Sequence, residues 1–460
     1  MSVIWTLSFV ITLIILTIVV AAGANQLHIG DPDPEYNCSY CQPEQIHISF
    51  GEKINDIVVT WTTVEDSLES RVQFGTFHGA FSEEAKGNRT SYQVLRGQWI
   101  HRVTLRDLSF NTTYKYRCGS RFAWSELFSF TTQPEGESVL RVAIYGDMGV
   151  ENAHALPYLQ QEAENKSVDF ILHVGDFAYD MNDNNAHVGD QFMRQIQPIA
   201  AITPYMVCSG NHEFANNFTH YKSRMTMPNH QQWESMFYSW DIGPIHFVSI
   251  NTEAYNFISR LISFNDGPLV TQFNWLIKDL ETANLKENRE KRPWIIMYGH
   301  RPMYCSSSQL DTSLCFMEPT RTGVWQNVWQ IFTGGKYGLE PLLIKYGVDV
   351  VIWAHEHMYE RSWPLYDKKI YNGSTEHPYT NPRAPVHIIT GSAGCKEGRE
   401  NFSKQPTWSA FRSRDYGYTR FHAHNNTHIY FEQVSVDLKG DVIDSFWLVQ
   451  LRHGPFKVPT

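Results

Sequence analysis

The chain is 460 residues long, 42% hydrophobic and 19% charged, with a formal net charge of −10 and a pI near 6.0. That length accommodates two or three domains with cores of their own, and the composition excludes a disordered polyelectrolyte. Lys and Arg number 38 against 48 Asp and Glu, with no basic stripe, which excludes nucleic acid as a partner because too few cations are available to displace backbone counterions.

Residues 1–30 contain no Asp, Glu, Lys or Arg; residues 3–22 are almost wholly apolar, and Ala22-Gly23-Ala24 offers a small-x-small cleavage site. Residues 1–24 therefore read as a signal peptide. The stretch is also about long enough to span a bilayer and lacks a positive n-region, so an uncleaved form would act as a signal anchor, the one route to a stable membrane partner. Sequons at Asn37, Asn88, Asn111, Asn165, Asn217, Asn372, Asn401 and Asn425 agree with export, giving a glycosylated secreted or secretory-lumen protein, extracellular or lysosomal. Seven cysteines leave at least one without a partner in the chain. Cys305 and Cys315 bracket a polar loop and are expected to form a disulfide; Cys208 closes an apolar run and is expected to be a buried thiol. Cys38-x-x-Cys41 has no second pair to complete a zinc site, so a local loop constraint is the reading.

Residues 25–133 form the first folded unit. Segments 57–63, 71–75, 99–105, 113–118 and 127–132 are rich in β-branched and aromatic residues, with turn formers between them and clear alternation in Tyr114, Tyr116 and Cys118. This is the pattern of a small, fibronectin-III-like β-sandwich, and nothing in it looks catalytic. A polar linker follows at 134–138. Across 139–450 apolar strand-like runs at 139–145, 170–174, 245–250, 294–298 and 348–353 alternate with helical patterns, which implies a layered α/β domain; 451–460 are a tail. The clearest helix covers about 269–285, where Leu269, Phe273, Leu276 and Leu280 make one apolar stripe.

Polar residues of this second domain concentrate where the apolar strands stop. Asp147 lies in Gly146-Asp-Met-Gly149, Asp176 and Tyr179 in Gly175-Asp-Phe-Ala-Tyr179, and Asn211 and His212 in Gly210-Asn-His-Glu213; His300 ends one strand, and His355 and His357 end another. Singly these are bland: a Gly-Asp after a strand is usually a turn, and a His-x-His is as commonly a surface pair. Five in order, each at the carboxyl end of an apolar strand where open α/β sheets bind ligands, specify a metal site.

These motifs resemble those of the purple acid phosphatases, a branch of the metallophosphoesterases. Gly-Asp-x-Gly, Gly-Asp-x-x-Tyr and Gly-Asn-His-Asp/Glu are intact; Val-x-x-His appears as Met297-Tyr-Gly-His300, and Gly-His-x-His as Ala354-His-Glu-His357. The sandwich, the Tyr416-Gly-Tyr418 segment and a closing strand at 444–448 are similar to the long, two-domain members. The resemblance implies that Asp147, Tyr179 and His357 hold a ferric ion, that Asn211, His300 and His355 hold a divalent ion (Zn, Mn or Fe(II)), and that Asp176 bridges them. Most other metallophosphoesterases carry Asp-x-His in the first motif, where this chain has Gly149. Tyr179 replaces that ligand only as a phenolate, and a phenol with a pKa near 10 needs a strongly acidic cation such as Fe(III).

The implied reaction is hydrolysis of phosphate monoesters, on small molecules or proteins, by a hydroxide held at the Fe(III)–M(II) pair, with two metals roughly 3.5–4 Å apart. His212 resembles the family histidine that contacts the phosphate or protonates the leaving group; the plainer alternative is that it only orients Asn211. Many relatives carry further histidines soon after the fourth motif, whereas residues 301–354 here contain none and offer Arg301, Tyr304 and the Cys305–Cys315 loop. Two other readings compete: a phosphodiesterase or nucleotidase of the same superfamily, and a cell-surface binding protein whose working part is the sandwich on an inactive phosphatase domain.

Overall fold

A computed structural model describes residues 37–92, 97–136, 138–255, 267–308, 319–324 and 335–457. The predicted signal segment, the Cys315 end of the predicted disulfide and residues 309–318 around it lie outside the described residues. The chain divides at Ser39; of the preceding unit only 37–39 are described.

The first eight strands pair into two four-stranded sheets. One runs Glu44–Phe50, Ile57–Thr63, Gln98–Leu105, Asn88–Tyr92; the other runs Glu83–Lys86, Arg71–Thr76, Thr113–Gly119, Phe128–Thr131, and every pairing is antiparallel. In Thr113–Gly119 burial alternates, so Tyr114, Tyr116 and Cys118 point into the core with Val72, Phe74 and Phe130. Glu44–Phe50 and Ile57–Thr63 break that rule and are buried on both faces. Their outer side chains bond to the second part of the molecule: His47 Nε2 lies 2.9 Å from the Arg224 carbonyl, Ser49 donates to the Thr226 carbonyl at 2.5 Å, and Thr60 donates to the Thr226 hydroxyl at 3.1 Å. Such polar residues in a strand buried on both sides are explained only by a docked neighbour that satisfies them.

Two larger sheets build the α/β part. The six-stranded sheet has the order Tyr205–Cys208, Phe170–Val174, Leu140–Tyr145, Gly417–Ala423, His428–Ser435, Asp441–Val449, parallel across its first three strands and antiparallel beyond. The seven-stranded sheet has the order Tyr238–Ile242, Ile245–Ser249, Trp294–Tyr298, Val350–Trp353, Val386–Thr390, Tyr359–Ser362, Ser409–Ser413, with four parallel strands at its centre. The parallel strands are mostly apolar, interrupted only by single residues such as Arg141, His173, His246 and His387, because most of both faces is covered, and each fully buried Val or Ile contributes about 1.5–3 kcal/mol. Side chains of both sheets and of the sandwich share one core, containing Val59, Trp61, Ile144, Leu172, Phe247 and Ile352.

The predicted helix spans Gly267–Ala283 and buries Leu269, Leu276 and Leu280, but Gln272 takes the inward place expected for Phe273. Gln272 clamps Asn251, accepting its N–H at 2.7 Å and donating to its carbonyl at 3.0 Å, while half-buried Phe273 packs edge-on to Tyr337. Cys208 and the other free thiols, Cys118 and Cys395, are buried, and Cys38, Cys41 and Cys305 are disulfide-bonded. Among the described residues no helix is long and apolar enough to cross a membrane.

Candidate metal centre

The carboxyl ends of the central parallel strands of both sheets converge, and the backbone there is bent sharply. Asp147, Asp176, Tyr179 and His355 all adopt positive φ, at 59°, 54°, 53° and 70°. Non-glycine residues rarely sit there, and such strain gathers where side chains must be aimed. Close packing holds the turns: a Cβ on Gly210 would lie 2.2 Å from Asp176 Oδ1, and one on Gly146 would lie 2.3 Å from the Ala354 methyl. The methyl that Ala354 adds to the fifth motif therefore fits because residue 146 is glycine.

Two groups of donor atoms result. In the first, Tyr179 Oη lies 3.1 Å from Asp147 Oδ1 and 2.8 Å from His357 Nε2. In the second, His300 Nε2 lies 3.0 Å from Asp176 Oδ2, 3.1 Å from Asn211 Oδ1 and 3.2 Å from His355 Nδ1. The backbone N–H of His355 donates to Asp147 Oδ2 at 2.9 Å and joins the two groups. All seven predicted ligands are thus brought together, and Asp176, His300 and His355 have the geometry of a cation site.

The donor set fits metal ions. His300 Nδ1 donates to the Val174 carbonyl at 3.0 Å, so its Nε2 carries a lone pair aimed at the Asp176 and Asn211 oxygens. His357 Nδ1 likewise donates to the Gly398 carbonyl at 3.0 Å, leaving the Nε2 lone pair to face Tyr179 and Asp147. At His300 the Nε2 lone pair and the Asp176 and Asn211 oxygens face one another in a buried pocket and repel, and positive charge among them removes the penalty; a backbone carbonyl fixing the far nitrogen, as at His300 and His357, is how metal-binding histidines are held. The ionisations point the same way. Burial and the nearby Asp176 charge drive the Asp147 carboxyl well above the usual carboxylate range, and burial with both carboxylates drives the Tyr179 phenol well above 10. Burial also lowers His357 to about 4, so its ring is neutral and ligand-ready. Two carboxylates and a phenolate stay ionised together here only against cations.

His212 stands apart from both groups. Its Nδ1 lies 2.6 Å from Asp180 Oδ1, and its Nε2 lies 3.9 Å from Asp176 Oδ2 and 3.6 Å from Glu397 Oε1. Its ring packs on Tyr179 with centroids 4.2 Å apart. Burial opposes its protonation, but Asp176 and the Asp180 hydrogen bond override that and raise its pKa to about 10.

Three family models match the chain: "Purple acid Phosphatase, N-terminal domain" over residues 43–132, "Calcineurin-like phosphoesterase" over 140–359, and "Iron/zinc purple acid phosphatase-like protein C" over 384–445. Acid phosphatase type 7 of Danio rerio is 48% identical, over 90% of this chain and 93% of its own length, and that of Homo sapiens is 46% identical, over 90% and 92%. This chain belongs to the purple acid phosphatase family. The solved purple acid phosphatase PPD1 of yellow lupin (Lupinus luteus) shares the fold, with a TM-score of 0.73 and 26% identity over 89% of this chain and 74% of that one. The chain is accordingly a metallophosphoesterase of the hydrolase class, an acid phosphatase, and the family implies a dinuclear metal centre.

Around this purple acid phosphatase site the structure adds residues that the motifs did not single out. Glu213, fully buried, accepts the N–H groups of Asp176, Phe177 and Gly210 at 3.0, 2.9 and 2.8 Å, and so ties two ligand loops together. Its place in Gly-Asn-His-Glu was visible in the sequence, its task was not. Asp180 follows Tyr179 directly, the one sequence signal for its contact with His212. Glu397 and the buried Cys395, whose Sγ lies 3.7 Å from His357 Nδ1, come from a loop far along the chain and carried no signal. The sandwich contributes none of these groups.

Proposed function

We propose that this chain hydrolyses phosphate monoesters at an Fe(III)–M(II) pair, M being Zn, Mn or Fe(II), with Asp147, Tyr179 and His357 on the ferric ion, Asn211, His300 and His355 on the divalent ion, and Asp176 between them. The observation that carries this reading is the aim of His300 Nε2 and His357 Nε2, both presenting lone pairs to oxygen ligands from rings locked by backbone carbonyls. Tyr179 supports iron for the first ion, since burial beside two carboxylates makes its phenolate unattainable without a strongly acidic cation. When bound, such a pair polarises the phosphoryl group and acidifies water at neutral or lower pH.

The chain's own residues supply the rest. Asp180 holds the His212 Nδ1 proton, so the proton on Nε2 is the one directed to the departing alcohol oxygen. Tyr179 packs against the ring, tilted at 39° with centroids 4.2 Å apart, and limits its swing. Glu213 keeps the Asp176 and Asn211 loops at fixed separation, which preserves ligand spacing without touching substrate. Secretion and N-glycosylation belong to the same proposal: they are supported by the disulfide-bonded Cys38, Cys41 and Cys305 and by the exposure of Asn88, Asn111, Asn165, Asn217, Asn401 and Asn425.

The test is the rate of p-nitrophenyl phosphate hydrolysis against pH, with Asp176→Ala as control and elemental analysis of the purified protein. Acid-side activity lost in the variant, with iron and a second metal bound, is the expected result. A folded, metal-loaded protein that hydrolyses diesters in preference to monoesters would refute the substrate class.

A further inference from the structure

His355 meets an unusual neighbour. Its Nδ1 faces the ligand group, 3.2 Å from His300 Nε2, while its Nε2 lies 2.8 Å from Nη1 of Arg301. A neutral imidazole that offers its Nδ1 lone pair to a cation carries its proton on Nε2. Arginine only donates, so an Nε2–H and a guanidinium N–H would then oppose each other at 2.8 Å. The supports of His300 and His357 are carbonyl oxygens, as ligated rings require. A guanidinium cannot play that part. Ligation of His355 through Nδ1 would therefore leave Nη1 of Arg301 opposed to an N–H and favour its turning away from the ring.

The rest of Arg301 is braced. Its Nε donates to both carboxylate oxygens of Glu253 at 2.8 and 2.9 Å, and its backbone N–H donates to Thr252 Oγ1 at 2.8 Å. Glu253 is itself held through its N–H by Asn251 Oδ1 at 2.9 Å, and Asn251 by Gln272. Of the Arg301 side chain 13% is exposed, while its anchor Glu253 is buried. An arginine anchored at Nε swings its Nη groups over a short arc while Nε stays fixed, and a guanidinium fork matches the oxygens of a phosphate dianion.

We propose that Arg301 is the residue that binds the substrate's phosphate group, presented by Glu253 at the edge of the metal centre and released toward the anion when His355 takes up its metal. This rests on the phosphomonoesterase reading above. It also accounts for a stretch between His300 and His355 that contains no histidine to serve as a phosphate donor.

The experiment uses the full, metal-loaded chain and inorganic phosphate as the probe, titrated calorimetrically so that no turnover is needed. Arg301→Met, Arg301→Lys and Glu253→Gln are compared with the wild type, and metal content is measured on each. Phosphate affinity is expected to fall roughly 10- to 100-fold in Arg301→Met, the range of a hydrogen bond to a charged group, to recover partly in Arg301→Lys, and to fall less in Glu253→Gln, all with wild-type metal content. KM for p-nitrophenyl phosphate rises in step. Unchanged phosphate affinity in Arg301→Met overturns the proposal, as does a wild type that binds no phosphate. Loss of metal in parallel with affinity also overturns it, since Arg301 would then be a support for His355. A wild type that binds phosphate through Arg301 yet hydrolyses no monoester defeats the catalytic reading and leaves this one standing.

Discussion

Replacing Asp190 tests whether the sandwich is an integral part of the enzyme. Asp190, on the helix Asp183–Ala200, receives Arg224 Nη2 at 2.8 Å, Gln45 Nε2 at 3.1 Å and Gln98 Nε2 at 3.0 Å, and Arg224 Nη1 donates to Gln45 Oε1 at 2.6 Å. Asp190 and Arg224 come from the α/β part, Gln45 and Gln98 from the sandwich, and none exceeds 3% exposure. Burial disfavours the Asp190 carboxylate, but Arg224 more than compensates and holds it below the usual carboxylate range. Removing one member of a buried ion pair strands the other and costs about 3–5 kcal/mol, whereas replacing both costs far less than twice that. Asp190→Ala and Arg224→Met should therefore each destabilise by about 3–5 kcal/mol, and the double variant by about the same as one single. The remaining cost in the double variant comes from the two glutamine amides left without an acceptor, at about 1–3 kcal/mol each. The assay is denaturant unfolding of the full chain, followed by fluorescence and by loss of phosphatase activity. The two curves should coincide, because the helix carrying Asp190 begins just after Asp180 and the helix ending at Arg224 begins just after His212 and Glu213. Additivity of the single changes within about 0.5 kcal/mol, or activity that survives unfolding of the sandwich, would refute the reasoning.

Three further outcomes are expected. His212→Asn should lower kcat about 10²–10⁴-fold on an alkyl phosphate and much less on p-nitrophenyl phosphate, whose phenolate leaves without a proton; equal losses on both would reduce His212 to orienting Asn211. His246, half-buried between Asp241 at 2.8 Å and Asp279 at 3.0 Å, has its pKa raised from 6.5 to about 9 despite its desolvation, because those carboxylates favour its charged form. A folded-state pKa above the unfolded one gives stability that is complete below pH 6.5 and lost as pH rises through 9, worth about 3 kcal/mol, so His246→Gln should flatten the stability profile between pH 6.5 and 9. Gly210→Ala should lower the metal content of the purified protein, since its Cβ would lie 2.2 Å from Asp176 Oδ1; full metal content would show that the loop yields more easily than its packing implies.

Much of the fold and site was legible in the sequence for identifiable reasons. Parallel strands covered on both faces leave mainly apolar runs, so Leu140–Tyr145 and Phe170–Val174, each with a single polar interruption, and the unbroken Trp294–Tyr298 announced themselves, and the ligands stood at their ends. Short polar strands such as Glu83–Lys86 did not, because exposed residues paired along one edge carry no hydrophobic period. Phe273 was assigned to the helix stripe on hydrophobicity, yet Gln272 is the buried residue, since a backbone at Asn251 needed both a donor and an acceptor.

The sequence by itself determined the chemistry: which side chains are hard or borderline ligands, that Gly149 stands where a histidine is usual while Tyr179 is present in the next motif, and that each ligand lies where a strand ends. The tertiary structure alone decided how those side chains are held. Which nitrogen of His300 faces the ligand group is set by the carbonyl of Val174, 126 residues away, and the docking of the sandwich by Gln45 reaching Asp190, 145 residues away. Local sequence fixes residue type and strand period, because those depend on neighbours along the chain. Tautomer, proton placement and interdomain contact depend on groups that meet only when the chain closes on itself, and no local pattern encodes that meeting.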